Sequence, residues 1–203
     1  MDYKYPEGSI VALLNTDLVT DITKKVLIER GQEKDYQPLF FTLPDFECLT
    51  VVCDCLMAQN SNNRMVTMAH AIDTRLNCKT GNGWRYNNMP PDDEMYREGL
   101  KGINKTANLL YNKKFIDLPK NHQLEVLGAV QKGLGDGFEW DQLQQQQFFE
   151  EMLAEVTEVF FSHPLVQDEM GYAGMADAKG WEKIRLNERE EREPIGIKIE
   201  TRN

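Results

Sequence analysis

At 203 residues, with 41% hydrophobic and 28% charged side chains, the chain is sized and composed for one soluble globular domain with its own core, not for a disordered protein. Its 33 acids outweigh 23 bases for a formal net charge of −10, and no basic cluster offsets them, which excludes nucleic acid and anionic membrane surfaces as partners. No apolar run approaches the roughly 18 residues needed to span a bilayer, so a direct membrane span is excluded too.

The N-terminus, MDYKYPEGSIVALLNTD, carries an acid at position 2 and an apolar stretch of only Ile10 to Leu14. It has neither a positive n-region nor a twin arginine, so the expected location is the cytoplasm, or the periplasm by co-export with a partner. Residues 1–19 read as an extended arm. Thr20 then caps a short helix, Asp21 to Arg30, that Gly31 ends. Thr42-Leu43-Pro44-Asp45 combines a capping hydroxyl, an early proline and a first-turn acid, and predicts a helix with Phe46, Leu49, Cys53 and Leu56 inward. Turn chemistry at Gln59 to Asn63 ends it. A third helix is expected over Met65 to Leu76, with Val66, Ala69, Ile72 and Leu76 on one face and His70 off it.

Thr80 to Pro91 is a Gly, Asn and Pro loop around Trp84 and Tyr86. Pro91 followed by Asp92, Asp93 and Glu94 starts a fourth helix reaching about Lys113, with Met95, Leu100, Ile103, Ala107, Leu110 and Tyr111 inward. Gly99 and Gly102 inside it each cost about 1 kcal/mol against alanine, which close helix packing would explain. A fifth helix follows the turn at Phe115 to Leu118, roughly Pro119 to Lys132, with Leu124, Leu127 and Val130 inward. Gly133, Gly135 and Gly137 then space a flexible turn. It follows a helix and lacks GxGxxG spacing, so it is not a dinucleotide fingerprint.

The segment from Trp140 to Trp181 carries the most information. Phe149, Met152, Leu153, Val156 and Phe160 draw one stripe on a helix running to Phe161. Phe148 and Phe161 fall at its margins. Ser162-His163-Pro164 breaks the helix, and a loop with Gly171, Gly174 and Gly180 displays Tyr172 and Trp181. Burying each such ring is worth roughly 1.5–3 kcal/mol, so either all of them enter one core or some anchor a protein interface. Beyond Trp181 the chain is mostly charge; Ile195, Ile197 and Ile199 alternate in a tail that pairs or drapes over a neighbour. The expected architecture is all-α: an irregular bundle of about six helices with long loops and a charged C-terminal tail.

Chemistry is sparse. The three histidines, His70, His122 and His163, belong to no HExxH or paired ExxH pattern, and neither GxSxG nor a Walker loop occurs. Cys53-x-Cys55, with Cys48 and Cys78, lacks the paired CxxC knuckles of a zinc site, and four thiols fit a reducing compartment. Glu150, Glu151, Glu155 and Glu158 read as a solvated acidic face. His163, at a helix end that favours a cation, either stabilises that end or meets a partner or its substrate. No catalytic, cofactor-binding or metal residue is assigned.

Leu39-Phe40-Phe41-Thr42, Ala71-Ile72-Asp73, Phe115 to Leu118, Gln123 and Leu127 resemble the gluconate 2-dehydrogenase subunit 3 family. So, most clearly, do Phe148-Phe149, Phe160-Phe161, His163-Pro164, Gly171-Tyr172, Gly174 and Gly180-Trp181. The resemblance covers about residues 38–182. It divides the chain into an N-terminal arm and short helix (1–37), a helical subunit-3-like domain (38–182) and a charged tail (183–203). Two features depart from the family pattern: Leu56-Met57-Ala58-Gln59 stands where relatives often have an Ile-Pro pair, and the twin-arginine signal of many relatives is missing.

What the resemblance implies is a helper subunit of an oxidoreductase complex. The small helical chain would bind and stabilise a catalytic subunit of the glucose-methanol-choline type. That partner holds FAD, oxidises a sugar or polyol with its own histidine as base, and passes electrons to a cytochrome or other electron acceptor. This chain has no CxxCH haem site and would bind no cofactor itself. Gluconate and glycosides oxidised at C3 are both compatible substrates. The partner interface would be Phe161, His163, Pro164, Tyr172 and Trp181, with the loop bordering the substrate entrance. The alternative is a stand-alone helical scaffold or chaperone without a lasting enzyme partner.

Overall fold

The computed structural model describes residues 3–4, 13–17, 19–31, 35–81, 83–172, 182–190 and 197–198. Of the residues singled out above, Ile10, Gly174, Gly180, Trp181, Ile195 and Ile199 lie outside them. Among the described residues there are seven helices: α1 (Asp21–Gly31), α2 (Leu43–Leu56), α3 (Met68–Cys78), α4 (Asp92–Tyr111), α5 (Lys120–Gln131), α6 (Gln142–Phe161) and α7 (Pro164–Glu169). The protein is an all-α irregular bundle. Two two-residue strands, β1 (Tyr3–Lys4) and β2 (Ile197–Lys198), pair antiparallel. The chain divides into two compact units, residues 36–160 and residues 1–35 with 161–203.

The 36–160 unit holds the main core. Thr42 caps α2 as its sequence predicts: its hydroxyl accepts from the Asp45 N–H at 3.4 Å and donates to the Asp45 carboxylate at 2.7 Å. Leu49, Val52, Ile72, Leu100, Ile103, Val126, Val130 and Met152 are fully buried, together with the rings of Tyr96, Phe115 and Phe148. The two helical glycines of α4 are there for contact. A Cβ on Gly99 would lie 2.2 Å from the Phe148 ring, and one on Gly102 would lie 2.4 Å from that of Phe138. Close approach of ring to helix backbone is what the missing side chains permit.

Several side chains sit elsewhere than the spacing suggests. Phe148 is fully buried and not marginal, because the gap over Gly99 receives it. Leu110 and Leu124 are half-exposed. On α5 the inward positions are Gln123, Val126, Leu127 and Val130, one step round from Leu124. On α4, Tyr111 stacks instead on His122, ring centroids 4.2 Å apart. The glycine turn after α5 is pinned, not flexible: the Gly135 N–H donates to the Gln145 side chain at 2.8 Å and that of Gly137 to the Thr106 hydroxyl at 3.0 Å.

In the other unit, α1 packs with α7. Thr20 accepts from the Thr23 N–H at 3.4 Å at the start of α1, as expected of a cap. No residue of α1 is buried, and Ile22, Val26 and Ile28 are exposed.

Candidate functional site

The stretch that follows α6 is read from sequence as a loop. Its first part is a helix. Pro164 sits at the first helical position, where a missing N–H costs nothing, so the proline that ends α6 also starts α7. His163 is the N-cap, and its Nδ1 accepts the Leu165 N–H at 3.3 Å. That bond requires an unprotonated Nδ1. Burial holds the His163 ring below its ordinary pKa of 6.5 and the Arg30 charge adds to this, while a hydrogen bond to the Arg30 backbone works the other way. Its helix-end role is therefore that of a neutral acceptor at the start of α7, not of a cation closing α6.

Gly171 closes α7. With φ at +69° it adopts the left-handed conformation. Its N–H bonds the Asp168 carbonyl, and the Tyr172 N–H reaches back to the Gln167 carbonyl at 2.8 Å. Those two bonds are a Schellman cap, which explains why Gly precedes the tyrosine. Within this segment Pro164 and Val166 are buried. Phe161 is 44% exposed, Leu165 and Met170 45%, and Tyr172 49%. The structure thus brings Phe161, His163, Pro164 and Tyr172 together on twelve consecutive residues, and the expected fifth member, Trp181, lies outside the described residues.

The 36–160 unit contains polar structure that periodicity does not reveal. Asp73 is fully buried on α3 and accepts from the backbone N–H groups of Leu39, Phe40 and Phe41 and from the Tyr36 hydroxyl at 2.7 Å. Burial alone would raise its pKa, but those donors outweigh it and hold the carboxyl below its ordinary 3.8. Burial pushes the Tyr36 hydroxyl up to about 12, so it stays a donor. Its ring stacks on His70, which in turn stacks on Phe46. Two stretches of the resemblance, Leu39 to Thr42 and Ala71 to Asp73, therefore meet in one anchor. Two more meet where buried Gln123 donates to the Phe115 carbonyl at 3.2 Å and accepts from the Cys55 thiol.

The acidic face of α6 is not simply solvated. Glu155 takes a two-pronged bond from Arg75, through Nε at 2.5 Å and Nη2 at 2.8 Å, and accepts from the buried Tyr96 hydroxyl. Arg75 also reaches Asp92 through Nη1 at 2.6 Å. One guanidinium thus ties α3, α4 and α6 together. Glu151 beside it is raised above its ordinary pKa by burial and by the charges of Asp92 and Glu155. Glu150 accepts from the Tyr86 hydroxyl at 3.0 Å. For Asp73 the signal was available: it falls inside the stripe of Val66, Ala69, Ile72 and Leu76, where an acid demands a partner, whereas Glu155 lies at the margin of its stripe.

Cys48, Cys53 and Cys55 are buried and Cys78 is exposed. Burial pushes the Cys48 thiol up to about 12 and raises those of Cys53 and Cys55, so these three behave as small hydrophobes. Among the described residues no three His, Cys, Asp or Glu are grouped to hold a metal ion. After α2 the Gln59 side chain stands in for backbone partners: its Oε1 accepts from the Met65 and Val66 N–H groups and its Nε2 donates to the Val66 carbonyl. Among the described residues no helix is long and apolar enough to cross a membrane.

Neither the curated proteins nor the solved structures contain a match to this chain. A family model does match, over residues 44–183, and its description is gluconate 2-dehydrogenase subunit 3. That span takes in Asp73, though not the residue 36–41 donors it collects, together with the Gln123 bridge, the Arg75 hub and the whole of α7. With well over half of its length matched, the chain belongs to the gluconate 2-dehydrogenase subunit 3 family.

Proposed function

We propose that this chain is the small, non-catalytic subunit of an FAD-dependent sugar or polyol dehydrogenase, and that it docks on and stabilises the flavin-carrying subunit through α1 and the 161–172 segment. The observation that carries this reading is the exposure of Phe161, Leu165, Met170 and Tyr172 within twelve residues, on a segment whose helix packs with α1. An eleven-residue helix is marginal by itself, and α1 has no fully buried residue while exposing Ile22, Val26 and Ile28. Apolar and aromatic side chains left in water at that density suit a protein interface. In this assembly the flavin and the hydride chemistry belong to the partner, and this chain supplies surface.

The test is co-expression with the product of the neighbouring open reading frame as the candidate flavoprotein. The parent chain should co-purify in a yellow complex. Phe161→Asp with Tyr172→Ala, both at exposed positions, should weaken the complex at least tenfold while leaving the circular dichroism of this chain unchanged. A folded double variant that binds as tightly as the parent would remove the interface assignment. A parent chain that stays a colourless monomer in the presence of the flavoprotein would favour a free-standing scaffold.

A further inference from the structure

A groove of about 610 Å³ opens where the end of α3 faces the start of α4, inside the 36–160 unit. That volume is in the range of small-molecule sites. Its lining includes the Arg75–Asp92 pair, Lys79, Trp84, Arg85 and Asp93. Arg75 is committed to Glu155 and Asp92, so its charge is answered within the protein. Lys79 and Arg85 are exposed, and among the described residues neither joins an ion pair. Two unanswered bases in one groove stand out on a chain with a formal charge of −10.

The groove also has a flat apolar face. The Trp84 indole is 55% exposed. Behind it Tyr86 packs edge-on at 4.6 Å, and the Tyr86 hydroxyl is tethered to Glu150 of α6. Lys79 is placed by the left-handed cap of α3, φ +53°, which turns the chain into the groove wall. Beside the Asp92 carboxylate that Arg75 holds, Asp93 contributes a second one to the same lining. It would repel a multiply charged anion and accept from hydroxyl groups.

We propose that this groove binds a small hydroxylated ring compound with a single carboxylate, its charge met by Lys79 and Arg85, its ring laid on Trp84 and its hydroxyls facing Asp93. The site is separate from the docking reading, because it is tested on this chain alone. Glucuronate is the probe, glucose its uncharged counterpart and citrate a multiply charged control. The readout is the indole N–H resonance of Trp84 in the ¹⁵N-labelled full-length chain, assigned with Trp84→Phe. Glucuronate should shift it saturably, glucose and citrate much less. Lys79→Ala with Arg85→Ala, both exposed, should weaken the response about tenfold with unchanged circular dichroism. An equal response to glucose, an equal or stronger one to citrate, no saturable shift with glucuronate, or an unaltered response in the double variant would each overturn the proposal.

Discussion

Asp73 is the residue on which the entry to the bundle depends. Its carboxylate collects three successive backbone N–H groups and a tyrosine hydroxyl, an arrangement only an ionised acid can satisfy completely. An amide of the same shape presents one oxygen and turns N–H against N–H. Asp73→Asn should therefore cost about 2–4 kcal/mol in urea unfolding, more than an exposed substitution. The pH dependence follows from the direction of the shift. Because the folded carboxyl lies below its ordinary 3.8, its stabilisation is complete above that value and is lost as pH falls through the lowered folded pKa. The parent should lose stability over that acid range more steeply than Asp73→Asn; parallel curves would show that the anchor contributes nothing through its charge.

At the scale of elements, α4 is built to be approached. Gly99 lets the Phe148 ring of α6 lie against its backbone, and Gly102 does the same for Phe138. Gly99→Ala should destabilise the protein by about 3 kcal/mol, because the fully buried Phe148 has no room to retreat. Phe148→Leu in the same chain should recover part of that loss in thermal unfolding, and a Gly99→Ala chain as stable as its parent would contradict the packing. Periodicity was enough to place α2, α4, α5 and α6 within a few residues, since caps, first-turn acids and terminating glycines act locally. It was not enough to find α7: the Pro164 that ends one helix starts another, and only the geometry of His163 and Gly171 shows which. Nor could it choose between Leu124 and Gln123 on α5, where a polar residue faces inward because Phe115 and Cys55 bond it.

For the molecule as a whole, a net charge of −10 and the apolar segment proposed to dock pull in different directions. A complex held by charge would weaken steeply with salt, whereas one held by Phe161, Leu165, Met170 and Tyr172 should not. The affinity of this chain for the proposed flavoprotein partner is expected to change less than threefold between about 0.1 M and about 1 M NaCl in a pull-down or calorimetric titration. A tenfold loss over that range would place the contact on charged surface instead.

The sequence by itself determined the all-α class, most helix boundaries and the family, because helix propensity, capping and apolar spacing are written within a few residues of each other. It also marked the Trp140–Trp181 stretch as the place to look, through its density of aromatic and glycine residues. Only the tertiary structure decided how acids and bases are spent. Arg75 is 80 residues from Glu155 and Asp73 is more than 30 from the N–H groups it collects. Such pairings depend on which surfaces meet after the helices pack, and no local pattern encodes them. The same holds for the groove at the end of α3, where Arg75 is engaged while Lys79 and Arg85, among the described residues, join no ion pair.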